Sequence, residues 1–367
     1  MEKQDLSKLT QKDFINELPS MVSLMDSYRS GSNNRKPIEI TLGEVAEGKW
    51  GISQDELFEK IGINPHVDTM ENIFTMPQQN IRWIVPEIIR QAITLGMRQA
   101  PFYPEIIASD QSINGLSAIM PMINMSDAAP AKVNEAETIP LGEVSFGQKS
   151  VSLFKIGKGF KMTDEVKNYV SIDVLGIYLR DFGIQLGYAM DTLAMDVVIN
   201  GNKPDGSESA PIIGVYETAQ GITYKDLLHI WVRAARMGRN FQTMIGGEDQ
   251  AIELLNLPEF KDRHSGTTQA TLNVKSPVPS SANFYIHPGT PNQQLLLIDT
   301  SAALIKLTAR QLMLESERIV SNQTEAVYAS LTTGFSKMYQ DAVLLLAADK
   351  KFTKFGFPDF MNVDPYL

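Results

Sequence analysis

The sequence predicts an α+β chain organised around one long helix, and three observations carry that prediction. Between Phe154 and Thr163 the apolar residues Phe154, Ile156, Phe160 and Met162 share one parity while Lys155, Lys161 and Thr163 share the other, the two-residue period of a strand with one covered face. From Ile172 the period changes. Leu175, Leu179, Phe182, Leu186, Met190, Leu193 and Val197 recur at steps of three and four, which sets them along one face of a helix. After Asn200-Gly201-Asn202, short helical and strand periods alternate until strand-like runs take over from Leu304.

Residues 1–36 read as a short amphipathic helix (Phe14, Ile15, Leu18, Val22, Met25) that Pro19 kinks or splits, followed by a polar linker at Ser30 to Lys36. Read from its residues alone, this stretch suits a frayed terminus. A short strand at Ile38 and Ile40 comes next, then a helix capped by Ser53, then irregular chain around Pro65 and Pro77. Ile81 to Gln99 reads as a helix with Trp83, Ile84, Ile88, Ile89, Ile93 and Met97 on its apolar face, and Pro86 fits only its first turn or a kink. Pro101 to Ala118 is extended and turn-rich.

Ile119 to Ile123 and the run from Val144 form the two strands of a long hairpin, with its tip between Met125 and Leu141. The tip carries too few large apolar side chains to bury a core of its own, so the hairpin must lie on something else. Thr163 with Asp164 and Glu165, and Ser171 before Ile172 and Asp173, are helix-start signals, since a short oxygen accepts from free N–H groups and acids suit the positive helix end. A helix from Ile172 to Ile199 would be roughly 40 Å long at 1.5 Å per residue. Further on, Thr223 caps a helix from Tyr224 to Met237, Phe241 to Ile245 is a strand, Glu248 to Leu255 a short helix, and Ala282 to His287 and Gln294 to Ile298 are strands. Four strand-like runs follow, from Leu304, Leu312, Thr324 and Gly334, before Gln340 to Leu346 and an aromatic tail from Lys350.

The chain has 367 residues, 43% of them hydrophobic and 21% charged, which is ordinary globular composition with enough material for two domains. It has no cysteine, which excludes disulfides, thiol catalysis and thiolate metal sites. A formal charge of −10 argues against a protein whose main work is gripping phosphate backbones. No basic-then-apolar leader opens the sequence, and synthesis in the cytosol is the expectation. His66, His229, His264 and His287 have no spacing that would bring two ligands to one helix face. The run Ile156 to Thr163 lacks the residue order of a phosphate-binding loop, and there is no Gly-x-Ser-x-Gly elbow. Asp191 and Asp196 would point about 140° apart on a helix, so they read as separate solvated or interface-facing acids rather than an acid pair. No cofactor and no catalytic or metal site is expected.

The order of these features resembles the major capsid proteins of tailed bacteriophages, the Hong Kong 97-type fold. The residues that carry the resemblance are the loop Ala131-Lys132-Val133-Asn134-Glu135-Ala136, Ile139-Pro140, the alternating strand, Thr163-Asp164-Glu165, the long helix with Asp191, and Val198-Ile199-Asn200-Gly201. It covers roughly Ser117 to Ala347 and rests on order rather than on any one motif. It implies a fold with an N-terminal arm over 1–100, an extended hairpin (the E-loop) over 101–158, a peripheral domain with its spine helix over 159–205, an axial domain over 206–300, peripheral return strands over 301–349 and a tail over 350–367. It further implies a non-enzymatic shell protein that assembles through pentamers and hexamers around double-stranded DNA in a virion, made in a bacterial cytoplasm. The implied partners are copies of itself, a portal, scaffolding or protease, and decoration proteins, with no membrane and no sequence-specific DNA contact. Under this reading the E-loop tip, through Met125, Pro130, Lys132, Glu135, Ile139 and Leu141, touches a neighbouring subunit. Some capsids of this fold crosslink a loop lysine to an asparagine of a neighbour. Lys132 and Lys149 match by position, but no asparagine or glutamate partner does. An encapsulin compartment, or an α+β enzyme, are the other readings.

Overall fold

The computed structural model describes residues 9–29, 40–113, 115–123, 144–203, 208–218, 221–236, 239–258 and 283–352, with backbone alone for 119–123, 144–149, 233, 235 and 236. The helices are α1 (Gln11–Arg29), α2 (Leu42–Trp50), α3 (Gln54–Ile61), α4 (Met70–Thr75), α5 (Ile84–Gln99), α6 (Asp164–Tyr169), α7 (Ile172–Asn200), α8 (Tyr224–Arg236) and α9 (Glu248–Leu255). The strands are β1 (Ile107–Ser112), β2 (Ser117–Ile123), β3 (Val144–Ser152), β4 (Phe154–Thr163), β5 (Ile212–Val215), β6 (Thr243–Gly246), β7 (Asn283–Ile286), β8 (Gln294–Ile298), β9 (Leu304–Ile319), β10 (Thr324–Lys337) and β11 (Val343–Lys351). The class is α+β, as the periodicities predict. Contacts divide the chain into two compact units, one of 1–101, 154–190 and 308–333, the other of 102–153, 191–307 and 334–367.

In the first unit, α1 is one continuous helix that contains Pro19, and it is packed rather than frayed. Its buried face is Phe14, Ile15, Leu18, Met21 and Met25, so Met21 takes the place expected for Val22. The Phe14 ring meets Trp50 edge-on at 4.9 Å. The Arg29 guanidinium bonds the Glu87 carboxylate on α5, and Lys49 pairs with Glu17. The strand expected at Ile40 is absent there, because Thr41 opens α2 through a capping box with Glu44; Ser53 opens α3 in the same way with Glu56. Ile38 lies outside the described residues. Pro86 sits in the first turn of α5, where its missing N–H costs nothing.

The same unit holds the first two-thirds of α7, and α5 crosses it with almost no spacing. A Cβ added at Gly183 would lie 2.1 Å from the Ile93 carbonyl oxygen, and one added at Gly96 would lie 2.1 Å from the Arg180 carbonyl oxygen. The helices therefore touch backbone to backbone, a contact that only glycine permits. β4 pairs antiparallel with β10, from Thr163 opposite Thr324 to Phe154 opposite Thr333. Its apolar parity meets α7, with the Phe160 and Phe182 rings 5.3 Å apart. Leu175, Leu179, Phe182, Leu186 and Met190 are all buried, as their spacing predicts. By length and composition α7 could cross a membrane, but 56% of its most apolar window is buried inside the chain, which accounts for that apolarity as core.

The second unit is built on a five-stranded sheet in the order β5-β11-β8-β6-β7. β8 pairs antiparallel with both β11 and β6, so its residues Leu295, Leu296, Leu297 and Ile298 are fully buried from both faces. Leu227, Ile230, Trp231 and Ala234 of α8 close one face with Phe241, Met244 and Leu254. Asp226 caps α8 by accepting from the Thr223 N–H and hydroxyl. The four strand-like runs from Leu304 join into two long strands, β9 and β10, turning at Val320–Asn322. The segment from Gln340 becomes the edge-to-centre strand β11, and β5 pairs with it in parallel.

Candidate assembly surface

Among the described residues β2 and β3 form a two-stranded sheet of their own, hydrogen-bonded to neither larger sheet. Their register runs from Ser117 opposite Ser152 to Ile123 opposite Val144, and it shifts between Met120 and Met122. Pro121 lies at that shift, where a residue without an N–H cannot continue the ladder. At the root, Leu153 N–H donates to the Leu116 carbonyl at 3.0 Å, and Val151 and Leu153 are buried. The predicted contact residues Met125, Pro130, Lys132, Glu135, Ile139 and Leu141 lie outside the described residues, and no side chain is described for Lys149.

The chain entering the hairpin segment is held by a group that the sequence reading misplaced. Asp191 is not solvated; it is 0% exposed, while Asp196 is on the surface and accepts from the Asn200 amide. The Asp191 carboxylate accepts the Tyr103 N–H at 2.8 Å and the Phe102 N–H at 3.4 Å. Burial pushes its pKa up to about 6 against the opposing pull of those two N–H groups. The Phe102 ring stacks on Tyr285 at 5.2 Å and meets His287 edge-on at 5.6 Å. Tyr285 donates its hydroxyl to Glu105, and burial followed by that carboxylate raises its pKa to about 12. Burial lowers the pKa of His287.

Helix α7 ends where Asn200-Gly201-Asn202 predicts. Gly201 has φ +78°, and a Cβ there would also run into Glu208, so the turn requires glycine twice over. Asn202 then behaves like a strand partner, its amide donating to the Phe335 carbonyl at 2.7 Å and accepting the Lys337 N–H at 3.0 Å. The buried Lys337 ammonium donates to the Val198 and Glu208 carbonyls, which satisfies a terminal carbonyl of α7 and places a cation at its negative end.

Among the described residues, two helices repeat exposed apolar side chains along one face. In the first unit the outer stripe of α7 presents Val174, Ile177, Tyr178 and Tyr188, with Ile177 65% and Tyr178 69% exposed. In the second unit Ile252 and Leu255, one turn apart on α9, are 69% and 67% exposed, and Val232 and Ile286 are exposed too. Single exposed apolar residues are normal, but side chains repeated along one face of an element mark an interaction surface. The period of α7 marks out its core face and carries no signal for Val174, Ile177, Tyr178 and Tyr188, which lie off that face. Among the described residues no three His, Cys, Asp or Glu side chains gather as metal ligands.

No protein-family model matches the sequence, and no curated protein matches it. Solved structures do. The chain is similar to the virus-like particle from Pyrococcus furiosus, with TM-score 0.47 and 12% identity, covering 71% of this chain and 98% of that one. It is similar to the capsid of the cyanophage P-SCSP1u, with TM-score 0.48 and 13% identity, covering 68% and 88%. A third likeness is to the capsid of the native GTA particle, with TM-score 0.47 and 13% identity, covering 69% and 89%.

Proposed function

We propose that this chain is a shell-forming major capsid protein of the Hong Kong 97-type, built to assemble with copies of itself. The observation that carries the reading is the isolated two-stranded hairpin. Strands of seven and nine residues that, among the described residues, pair only with each other are marginal in water unless a surface covers them. A neighbouring copy supplies that surface, with Met125, Pro130, Lys132, Glu135, Ile139 and Leu141 as the contacting tip. The unbroken 29-residue helix α7 and the long pair β9 and β10 give the rigid frame such a lattice needs. The exposed stripe of α7 and the α9 pair are the further surfaces on which many modest contacts add up. In this reading the first unit carries the peripheral domain and the five-stranded unit the axial domain. The shell is a tailed-phage head formed from pentamers and hexamers around double-stranded DNA, in a bacterial cytoplasm, with a portal, scaffolding or protease as assembly partners. The protein performs no catalysis.

Expression of the full chain followed by sedimentation and electron microscopy tests this. Capsomers, tubes or large empty shells support the phage head. Small uniform shells holding a host enzyme favour an encapsulin compartment. A monomer that stays monomeric at high concentration, and whose melting is raised by a small ligand, overturns both in favour of an enzyme.

A further inference from the structure

We propose that residues 353–367, the aromatic segment that follows β11, dock on the outward face of α8 in their own chain and strap that face. The strap is a property of the single chain and stands whether or not the chain forms shells.

The face is defined by what α8 buries. Leu227, Ile230, Trp231 and Ala234 pack into the core of the second unit, and Asp226 is buried as the N-terminal cap. At 3.6 residues per turn the opposite side of the helix carries Lys225, His229, Val232 and Arg236, with Arg233 at its margin. Lys225 is exposed and Val232 is 55% exposed. In a chain of formal charge −10, this side of α8 carries Lys225, Arg233 and Arg236, while the helix's one acid, Asp226, is turned inward. At the border, exposed Lys350 and Lys351 are matched by exposed Glu217 and Asp349, so the excess of positive charge lies on the helix itself.

The end of β11 is already seated beside this face. The Phe352 N–H donates to the Val215 carbonyl at 2.6 Å, just past the pairing of Lys351 with Val215. The Phe352 ring lies 4.8 Å from the His229 ring and 5.0 Å from the Tyr216 ring, and the Lys225 ammonium lies 4.5 Å from the centre of Tyr216. Phe352 is the member of the aromatic run already in place, and the described chain stops there.

Residues 353–367 have the composition that this face needs. Phe355, Phe357, Phe360, Met361 and Tyr366 supply apolar area, and Asp359 and Asp364 outnumber the one cation, Lys354. Pro358 and Pro365 lack the N–H that a further helix or strand requires, which suits a strap laid across side chains. The reach is sufficient. From His229 to Arg236 is roughly 10 Å along the helix at 1.5 Å per residue, whereas the seven steps from Phe352 to Asp359 extend up to roughly 23 Å. Because Phe352 is fixed at His229, the segment meets α8 at an effective concentration of roughly millimolar, above that of a second copy in dilute solution. The same cations suit a phosphate backbone, but the two aspartates are tethered beside them and any nucleic acid has to displace them.

The chain has no cysteine, so Asn362→Cys gives a single site for a nitroxide spin label within the segment. Paramagnetic resonance of the full, unassembled chain reads the ratio of immobile to mobile label. The expected result is a mainly immobile label. That ratio should fall roughly tenfold when Lys225→Glu, Arg233→Glu and Arg236→Glu are combined, since each exposed ion pair contributes a small factor and reversal turns attraction into repulsion. High salt should lower it in the same direction. Lys161→Glu, on the exposed side of β4, should leave it unchanged. Should the triple variant not fold, Asp359→Lys with Asp364→Lys alters the segment alone and should give the same fall. A label that is mobile in the unreversed chain, or one that these reversals do not release, overturns the proposal. Release of the label on dilution overturns it as well, because it would seat the segment on a second copy. A mobile label, together with salt-sensitive binding of a short DNA duplex that the triple variant loses, would give the face to nucleic acid and overturn it too.

Discussion

Replacing Gly183 with alanine puts one methyl group into the backbone contact between α5 and α7. The new Cβ would stand 2.1 Å from the Ile93 carbonyl oxygen and 2.9 Å from its carbon. Real Cβ atoms do not approach closer than 3.0 Å, so α5 and α7 must part by about 1 Å. The obstructing atoms are backbone, which no rotamer change can move. Overpacking of this kind costs about 1–3 kcal/mol, and a gap approaching 1 Å also forfeits up to half of the dispersion energy across the contact, including that of buried Ile89 and Ile93. Against this stands a gain of about 1 kcal/mol in helix propensity. The net expectation is a loss of about 2 kcal/mol, or a fall in melting temperature of roughly 4–8 °C at 2–4 °C per kcal/mol. Gly176 on the same helix is the control, because a Cβ there meets nothing within 4 Å. Gly176→Ala should therefore stabilise by about 1 kcal/mol. Chemical and thermal unfolding of the unassembled chain reads both. If Gly183→Ala stabilises as Gly176→Ala does, the backbone contact between α5 and α7 does not exist in solution.

Arg239→Ala removes a guanidinium that grips Asp341 through two bonds of 2.8 and 3.0 Å and lies over the Tyr339 ring; leaving that carboxylate unpaired should cost about 3–5 kcal/mol in denaturant titration, with Arg239→Lys losing less. Lys337→Met keeps the stem of a buried side chain but loses its bonds to the Val198 and Glu208 carbonyls, for an expected loss of about 1.5–3 kcal/mol; a neutral result would mean that the Lys337 ammonium adds nothing to the hold on the α7 end. Ile177→Glu with Tyr178→Ser changes two side chains that are 65% and 69% exposed, so unfolding of the unassembled chain should shift by no more than about 0.5 kcal/mol while particle formation fails in sedimentation. Particles formed at the wild-type level would remove the α7 stripe from the assembly surface.

Much of the framework could be read from the sequence because it depends on local rules. The three- and four-residue period of α7, its stop at Gly201, the Thr163 cap of α6 and the Ser53 cap of α3 are matters of spacing and hydrogen-bond chemistry within a few residues. The same chemistry at Thr41 and Glu44 signalled α2 and went unread. Pro19 was expected to kink or split α1; it does not split it, because the packing of Phe14, Leu18, Met21 and Met25 outweighs one missing hydrogen bond. Four strand-like runs became two strands because the polar stretches Thr308 to Gln311 and Thr332-Thr333 interrupt the hydrophobic pattern without interrupting the strand. Asp191 was read as solvated or interface-facing because helix geometry gives the angle between two side chains and not what lies opposite either of them. Its partners are backbone N–H groups nearly ninety residues earlier, and no sequence pattern records such a contact.

The central claim is that the surface under the hairpin belongs to another copy of the chain. Because the sequence has no cysteine, Lys132→Cys gives a single site for a photoactivated crosslinker at the hairpin tip. Particles assembled from equal amounts of light and nitrogen-15-labelled chains should yield crosslinks from residue 132 in which half join a light to a heavy peptide. Crosslinks confined to peptides of one isotope would mean that the hairpin folds onto its own chain, and the shell reading would fall with it.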